Sequence, residues 1–137
     1  MSKVSWIRVD VDIYKNEKVR CLERRVRVGT GLLWIYLLLL AGKSNAGGRL
    51  MLSQSTPYTV ESMAAELEVE ERWLAQAIEE MMRLDMVRRR GRVYSIRDWE
   101  NHQNVEKLAA IRERERLRKR EYRAKKKAEK EQADEEL

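Results

Sequence analysis

The run LLWIYLLLLA, Leu32 to Ala41, limits the fold of this chain more than any other stretch. A bilayer crossing needs about 20 apolar residues, so ten cover only about half a span. No glycine, proline or charge interrupts the run, and it is bracketed by Gly29-Thr30-Gly31 before and Gly42 after. The expected solution is a helix buried on nearly all sides, anchoring the core of a water-exposed domain. With 137 residues there is room for one such domain plus an appendage.

The flanking segments supply the partners for that helix. WIRVDVDIY alternates as an extended segment does, and NEKVRCLERR follows with Asn16 as the cap of a short helix whose Val19 and Leu22 face inward. Lys43 to Gly48 is a Gly-rich loop leading into a short strand at Arg49 to Leu52, and Pro57 marks the next boundary. Thr59 caps a helix over TVESMAAEL, with Met63, Ala64 and Leu67 on one face. Glu68, Val69 and Glu70 connect it to ERWLAQAIEEMMRLD, where Trp73, Leu74, Ala77, Ile78, Met81 and Leu84 keep the spacing of a packed face. DMVRRRGRVYSI then reads as a ribbon, Met86 to Arg90 and Arg92 to Ile96, reversing at Gly91 where a positive φ is tolerated. Two helices, a tight turn and a ribbon make a helix-turn-helix with a wing. The expected class is mainly α with a small β-sheet (α+β). A winged helix-turn-helix occupies 1–104, a long basic C-terminal helix 105–130 and an acidic tail 131–137.

Charge is spread unevenly over these parts. Residues 105–130 hold twelve Lys and Arg against five Glu, while 131–137 hold four acids. Such asymmetry points to a polyanion as partner. The tail EKLAAIRERERLRKREYRAKKKAEK has no glycine or proline and is rich in helix formers. On a helical wheel Arg112, Arg116, Lys119, Arg120, Arg123, Lys126, Lys127 and Lys130 share an arc of about 120° that contains no glutamate before residue 131. Glu115 to Lys119 and Glu121 to Lys125 are spaced for i, i+4 ion pairs off that arc. The result is a cationic ridge roughly 30 Å long, enough to track several phosphates. Leu108 and Ile111 are placed to dock on the body, but beyond them Leu117 and Tyr122 are too few for a coiled-coil seam. The tail is expected to fray in solution and firm up along DNA.

Chemistry-bearing motifs are missing. There is no phosphate-cradling GxxxxGKS/T, no HExxH and no nucleophile elbow, and AGGR alone is a turn. Cys21 is the single cysteine and His102 the single histidine, with no metal-ligand spacing around either. The expectation is no enzyme activity, no cofactor and no metal. His102 is taken as structural, and Trp99 as packed on the body, with Asp98 or Asn101 capping the tail helix. The N-terminus lacks the apolar run of a signal peptide, so a cytoplasmic setting, with no membrane partner, is expected.

Four segments, VSWIRVDVDIY, LLLLAGKSNAGGRLMLSQSTPYT, LDMVRRRGRVYSI and DWENHQN, resemble in order and spacing the N-terminal domain of phage replisome-organiser proteins. The resemblance covers roughly residues 4 to 125, and the loop-strand block and WENHQN are its most specific parts. It implies a winged-helix fold related to DnaD-type primosome proteins, binding to origin DNA and recruitment of the replicative-helicase machinery. Family members often continue into a C-terminal region that handles helicase-loading partners, whereas this sequence ends at Leu137.

In a helix-turn-helix the second helix enters the major groove by its N-terminal residues. Arg72 and Gln76, one turn apart, have the chemistry to read guanine and adenine edges. Glu79 and Glu80 would meet phosphates unfavourably, so only the first two turns are expected to approach bases. Arg88, Arg89, Arg90 and Arg92 crowd like charges at the wing tip, which a phosphate backbone or narrow minor groove would relieve. Gln103 and Asn104 are further polar candidates. The expected partner is double-stranded DNA carrying origin repeats, with self-association on tandem sites and contact to a helicase or its loader. A transcriptional regulator of the same fold and a protein-binding scaffold are the alternatives.

Overall fold

A computed structural model describes residues 4–103 and 105–135. The chain divides into two compact units, Met1–Gln103 and Asn104–Leu137. In the first, local chemistry sets the helix boundaries. The Asn16 carboxamide oxygen accepts from the amides of Lys18 and Val19, at 2.9 and 3.4 Å, and opens α1 (Glu17–Arg25). Helix α2 (Thr30–Ser44) starts after Gly29 at φ +99° and stops at Asn45 in the left-handed region. Thr59 and Ser62 exchange side-chain bonds with each other's backbone, a reciprocal cap on α3 (Val60–Leu67). Glu68, left-handed at φ 55°, turns the chain into α4 (Glu71–Arg83). Strands β1 (Val87–Arg90) and β2 (Val93–Ile96) pair antiparallel, Val87 opposite Ile96 and Arg90 opposite Val93. A five-residue helix, α5 (Trp99–Gln103), follows.

The core forms around α2. Leu33, Leu37 and Ala41 are fully buried, and Val19 and Leu22 of α1, Met63 of α3 and Leu74, Ala77, Ile78 and Met81 of α4 pack into the same cluster. Val87, Tyr94 and Ile96 seat the ribbon on it. A Leu→Ala change at such positions costs about 2–5 kcal/mol, so this cluster dominates the stability of the unit. Burial of α2 is less complete than its composition suggests. Leu32 and Leu39 are 40% and 48% exposed, and with half-buried Ile35 they leave an apolar stripe on the surface.

The expected strand at Arg49 to Leu52 and the N-terminal segment read as extended are both irregular backbone. Residues 4–10 form no strand, and a short 3-10 turn at Ile13–Lys15 follows them. The alternation there still places Ile7 against the core. Arg49 to Leu52 is reduced to two isolated bridges, Arg49 with Ser95 and Met51 with Pro57. It nevertheless lines the edge of β2, where the Leu50 amide donates to the Tyr94 carbonyl and the Ile96 amide to the Gly48 carbonyl, both at 2.8 Å. The arrangement is an α+β, winged-helix-like fold.

The second unit is one helix, α6 (Val105–Glu135), which runs on through the first five residues of the acidic segment. Its side chains from Glu113 to Asp134 are exposed. The expected docking of Leu108 lies outside the described side chains. Asp98 precedes α5 and Asn101 lies within it, so neither caps α6. Among the described residues no helix is long and apolar enough to cross a membrane.

Candidate nucleic-acid interface

Burying Leu74, Ala77, Ile78 and Met81 turns the opposite face of α4 to solvent. Arg72 and Gln76 are exposed on it, with Ala75 and Glu79 beside them. Glu80 is not. Its side chain is 13% exposed and accepts from Arg25 Nε at 2.8 Å and from Arg83 Nε at 2.9 Å. The Arg83 hydrogen bond, aided by Arg25 against the opposing effect of burial, holds its carboxyl below the usual glutamate range. The acid expected to repel phosphates is thus folded against α1 and compensated, which removes that objection for Glu80 and leaves it for Glu79 alone.

In the ribbon, strand alternation divides the arginines. Arg89 lies opposite Tyr94, its guanidinium 5.5 Å from the ring centroid, and its Nε donates to the Gly91 carbonyl at 2.9 Å. Arg88 pairs with Ser95 and Arg90 with Val93, on the other face of the ribbon. Arg92 follows Gly91, whose φ of +57° suits the first position of a two-residue hairpin loop. All four are exposed. Their separation onto two faces and a loop relieves the crowding that the linear sequence suggests. Ion pairs hold Arg25, Arg27, Arg83 and Arg97 in this unit, but none involves a wing arginine among the described residues.

Along α6, Lys119, Arg120, Arg123, Lys126, Lys127 and Lys130 are exposed, and Lys126 lies 5.8 Å from the Tyr122 ring centroid. Arg112 is half-buried. Arg116 is exposed and bonds Glu113 at 2.7 Å, an i, i+3 pair in place of the i, i+4 pairs expected at Glu115 and Glu121. Helical spacing puts the eight cations on one arc, exposed from Arg116 onward.

Gln103 leaves the set of candidate contacts. It is 4% exposed, and both ends of its amide are engaged with Arg8, accepting from the Arg8 amide at 2.7 Å and donating to its carbonyl at 2.9 Å. This side chain closes the backbone of the N-terminal segment in place of a strand partner. Asn104 lies outside the described residues. His102 is exposed on α5, and no cluster of metal-binding side chains is found among the described residues.

One feature near α4 has no local sequence signal. The Arg27 guanidinium lies 3.8 Å from the Trp73 ring centroid and 3.9 Å from the Glu70 carboxylate, while Trp73 Nε1 donates to Thr30 Oγ1 at 3.0 Å. Only the fold brings these residues together at the start of α4.

Residues 6–124 match the family model described as N-terminal phage replisome organiser. No curated protein and no solved structure matches the chain. The match spans α1 to α5, the ribbon and most of α6, and it connects these elements with phage DNA replication. The chain belongs to the N-terminal phage replisome organiser family.

Proposed function

We propose that the chain is a sequence-specific binder of double-stranded DNA that recognises origin repeats during phage replication. The first two turns of α4 enter the major groove, where Arg72 reads a guanine edge and Gln76 an adenine edge. Arg88, Arg90 and Arg92 hold the adjoining backbone from the wing. The α6 arc of Arg112, Arg116, Lys119, Arg120, Arg123, Lys126, Lys127 and Lys130 adds grip that does not depend on sequence. Recruitment of helicase machinery would follow from this placement on the origin.

The observation that carries the proposal is the fate of the charges. Glu80 is compensated internally, whereas the wing arginines and Lys119, Arg120, Arg123, Lys126, Lys127 and Lys130 of the ridge stand exposed and make no ion pair among the described residues. A chain whose basic residues served only its own stability would pair them.

The test is a footprint on the phage replication locus combined with a salt titration of affinity. Protection of clustered repeats, with a log-log salt slope of about −5 to −7, is the expected result. Protection of a promoter operator alone would instead assign the same fold to transcription. Equal affinity for every duplex together with tight self-association would favour a scaffold.

A further inference from the structure

The N-terminus of α4 carries a second cation, contributed from outside the helix-turn-helix. Arg27 follows α1, and the segment Arg27 to Thr30 wraps the indole of Trp73. Thr30 Oγ1 takes the indole N–H at 3.0 Å and itself donates to the Arg27 carbonyl at 2.7 Å. Gly29 lies beside the benzo ring, where a Cβ would be in ordinary van der Waals contact at 3.7 Å. The Arg27 guanidinium covers the ring face at 3.8 Å. A flexible side chain is thereby set at one place, beside the first turn of α4 and on the same helix end as exposed Arg72.

Its counter-ion is weakly held. Glu70 is the N-cap residue of α4 but makes no side-chain capping bond, and its carboxylate stands 3.9 Å from Arg27. The Arg27 and Glu70 side chains are 52% and 62% exposed. An exposed pair at such a distance contributes little to stability and yields easily to a stronger anion. A phosphate accepts more and stronger hydrogen bonds from a guanidinium than a distant carboxylate does.

We propose that Arg27, pre-oriented on Trp73, is a phosphate anchor for DNA at the N-terminus of α4, and that Glu70 is its resting counter-ion, displaced when the backbone docks. Trp73 is a positioning residue, which holds the guanidinium flat and lowers the ordering cost of the contact. The anchor fixes how far α4 enters the groove and so deepens the DNA-binding proposal, on which it rests.

The test uses the full chain and a duplex from the phage replication locus, with affinity followed by fluorescence anisotropy across a salt series. Arg27→Ala should weaken binding by about three- to tenfold and make the salt slope less negative by about 1, equally for matched and mismatched duplexes. Glu70→Gln should tighten binding, and that gain should vanish when Arg27→Gln is also present. Should Arg27→Ala fail to fold in a thermal melt, Arg27→Gln replaces it. A slope unchanged by loss of Arg27, or a Glu70→Gln gain that persists without Arg27, overturns the anchor while leaving DNA binding intact. Absence of binding by the unaltered chain overturns the DNA-binding proposal itself and the anchor with it.

Discussion

Gly48 marks the tightest point between the α2–α3 connection and the ribbon. Its φ is +95°, and a Cβ there would stand 2.6 Å from the Trp99 Cβ and 3.1 Å from the Ile96 carbonyl oxygen. Both obstacles belong to packed structure that has no room to retreat. Gly48→Ala should therefore cost about 2–4 kcal/mol in urea unfolding, combining left-handed strain with overpacking. Gly47, at φ +67° with nothing within 4 Å, supplies the control and should lose only about 1–2 kcal/mol on the same change. Equal losses at the two sites would place the whole cost in the backbone. Glu80 offers a second single-residue test, through pH. Its carboxyl is held below the ordinary value of 4.5, first by the Arg83 hydrogen bond. Near that pH the unfolded chain binds the proton more readily than the folded one, so the contribution is complete above it and fades as the pH falls through the lower folded value. Glu80→Gln should flatten the acid limb of stability below about pH 5, and an unchanged limb would show that the Arg25–Glu80–Arg83 group adds nothing in solution.

Elements built on a single repeating pattern were legible from composition and spacing. Helix α3 follows from its Thr59 cap, both α3 and α4 follow from apolar residues at i, i+3 and i+4, and the ribbon follows from Gly91 between two β-prone runs. Elements that depend on a distant partner were not. The N-terminal segment alternates as a strand would, but its backbone at Arg8 is satisfied by the side chain of Gln103, a pairing across 95 positions that no local window contains. The same limit hid Arg27, which gains its place from Trp73, and misassigned Gln103 to the surface. Within the ribbon, strand alternation sends the arginines to different faces: Arg89 stacks toward Tyr94 while Arg88 and Arg90 share the other face. This division predicts unequal effects. Replacing Arg88 and Arg90 together by Gln should weaken binding to every duplex alike and reduce the salt slope by about 2. Arg89→Gln, already engaged with Gly91 and Tyr94, should change the slope by less than either partner does alone. If Arg89 proves the most sensitive of the three, its face of the ribbon is the one that meets DNA.

At the scale of the whole molecule the two units carry different kinds of information. The first unit holds the side chains suited to base edges, Arg72 and Gln76, on a helix fixed by a packed core. The helix α6 holds a line of exposed cations, and a line of charge attracts any duplex equally. Specificity and grip should therefore separate under mutation. Replacing Lys119, Arg120, Arg123 and Lys126 by Gln removes four charges from the ridge and preserves helix propensity, so the circular dichroism of the free protein should stay close to that of the unaltered chain. The salt slope should become less negative by about 3 to 4, and affinity at about 0.1 M salt should fall by two or more orders of magnitude. The footprint at low salt should keep its boundaries, because Arg72 and Gln76, proposed above to read the bases, are untouched. A footprint that shifts or spreads would mean that α6 takes part in choosing the site. An unchanged slope would mean that the ridge stays off the DNA, and its charge would then need another polyanion to explain it.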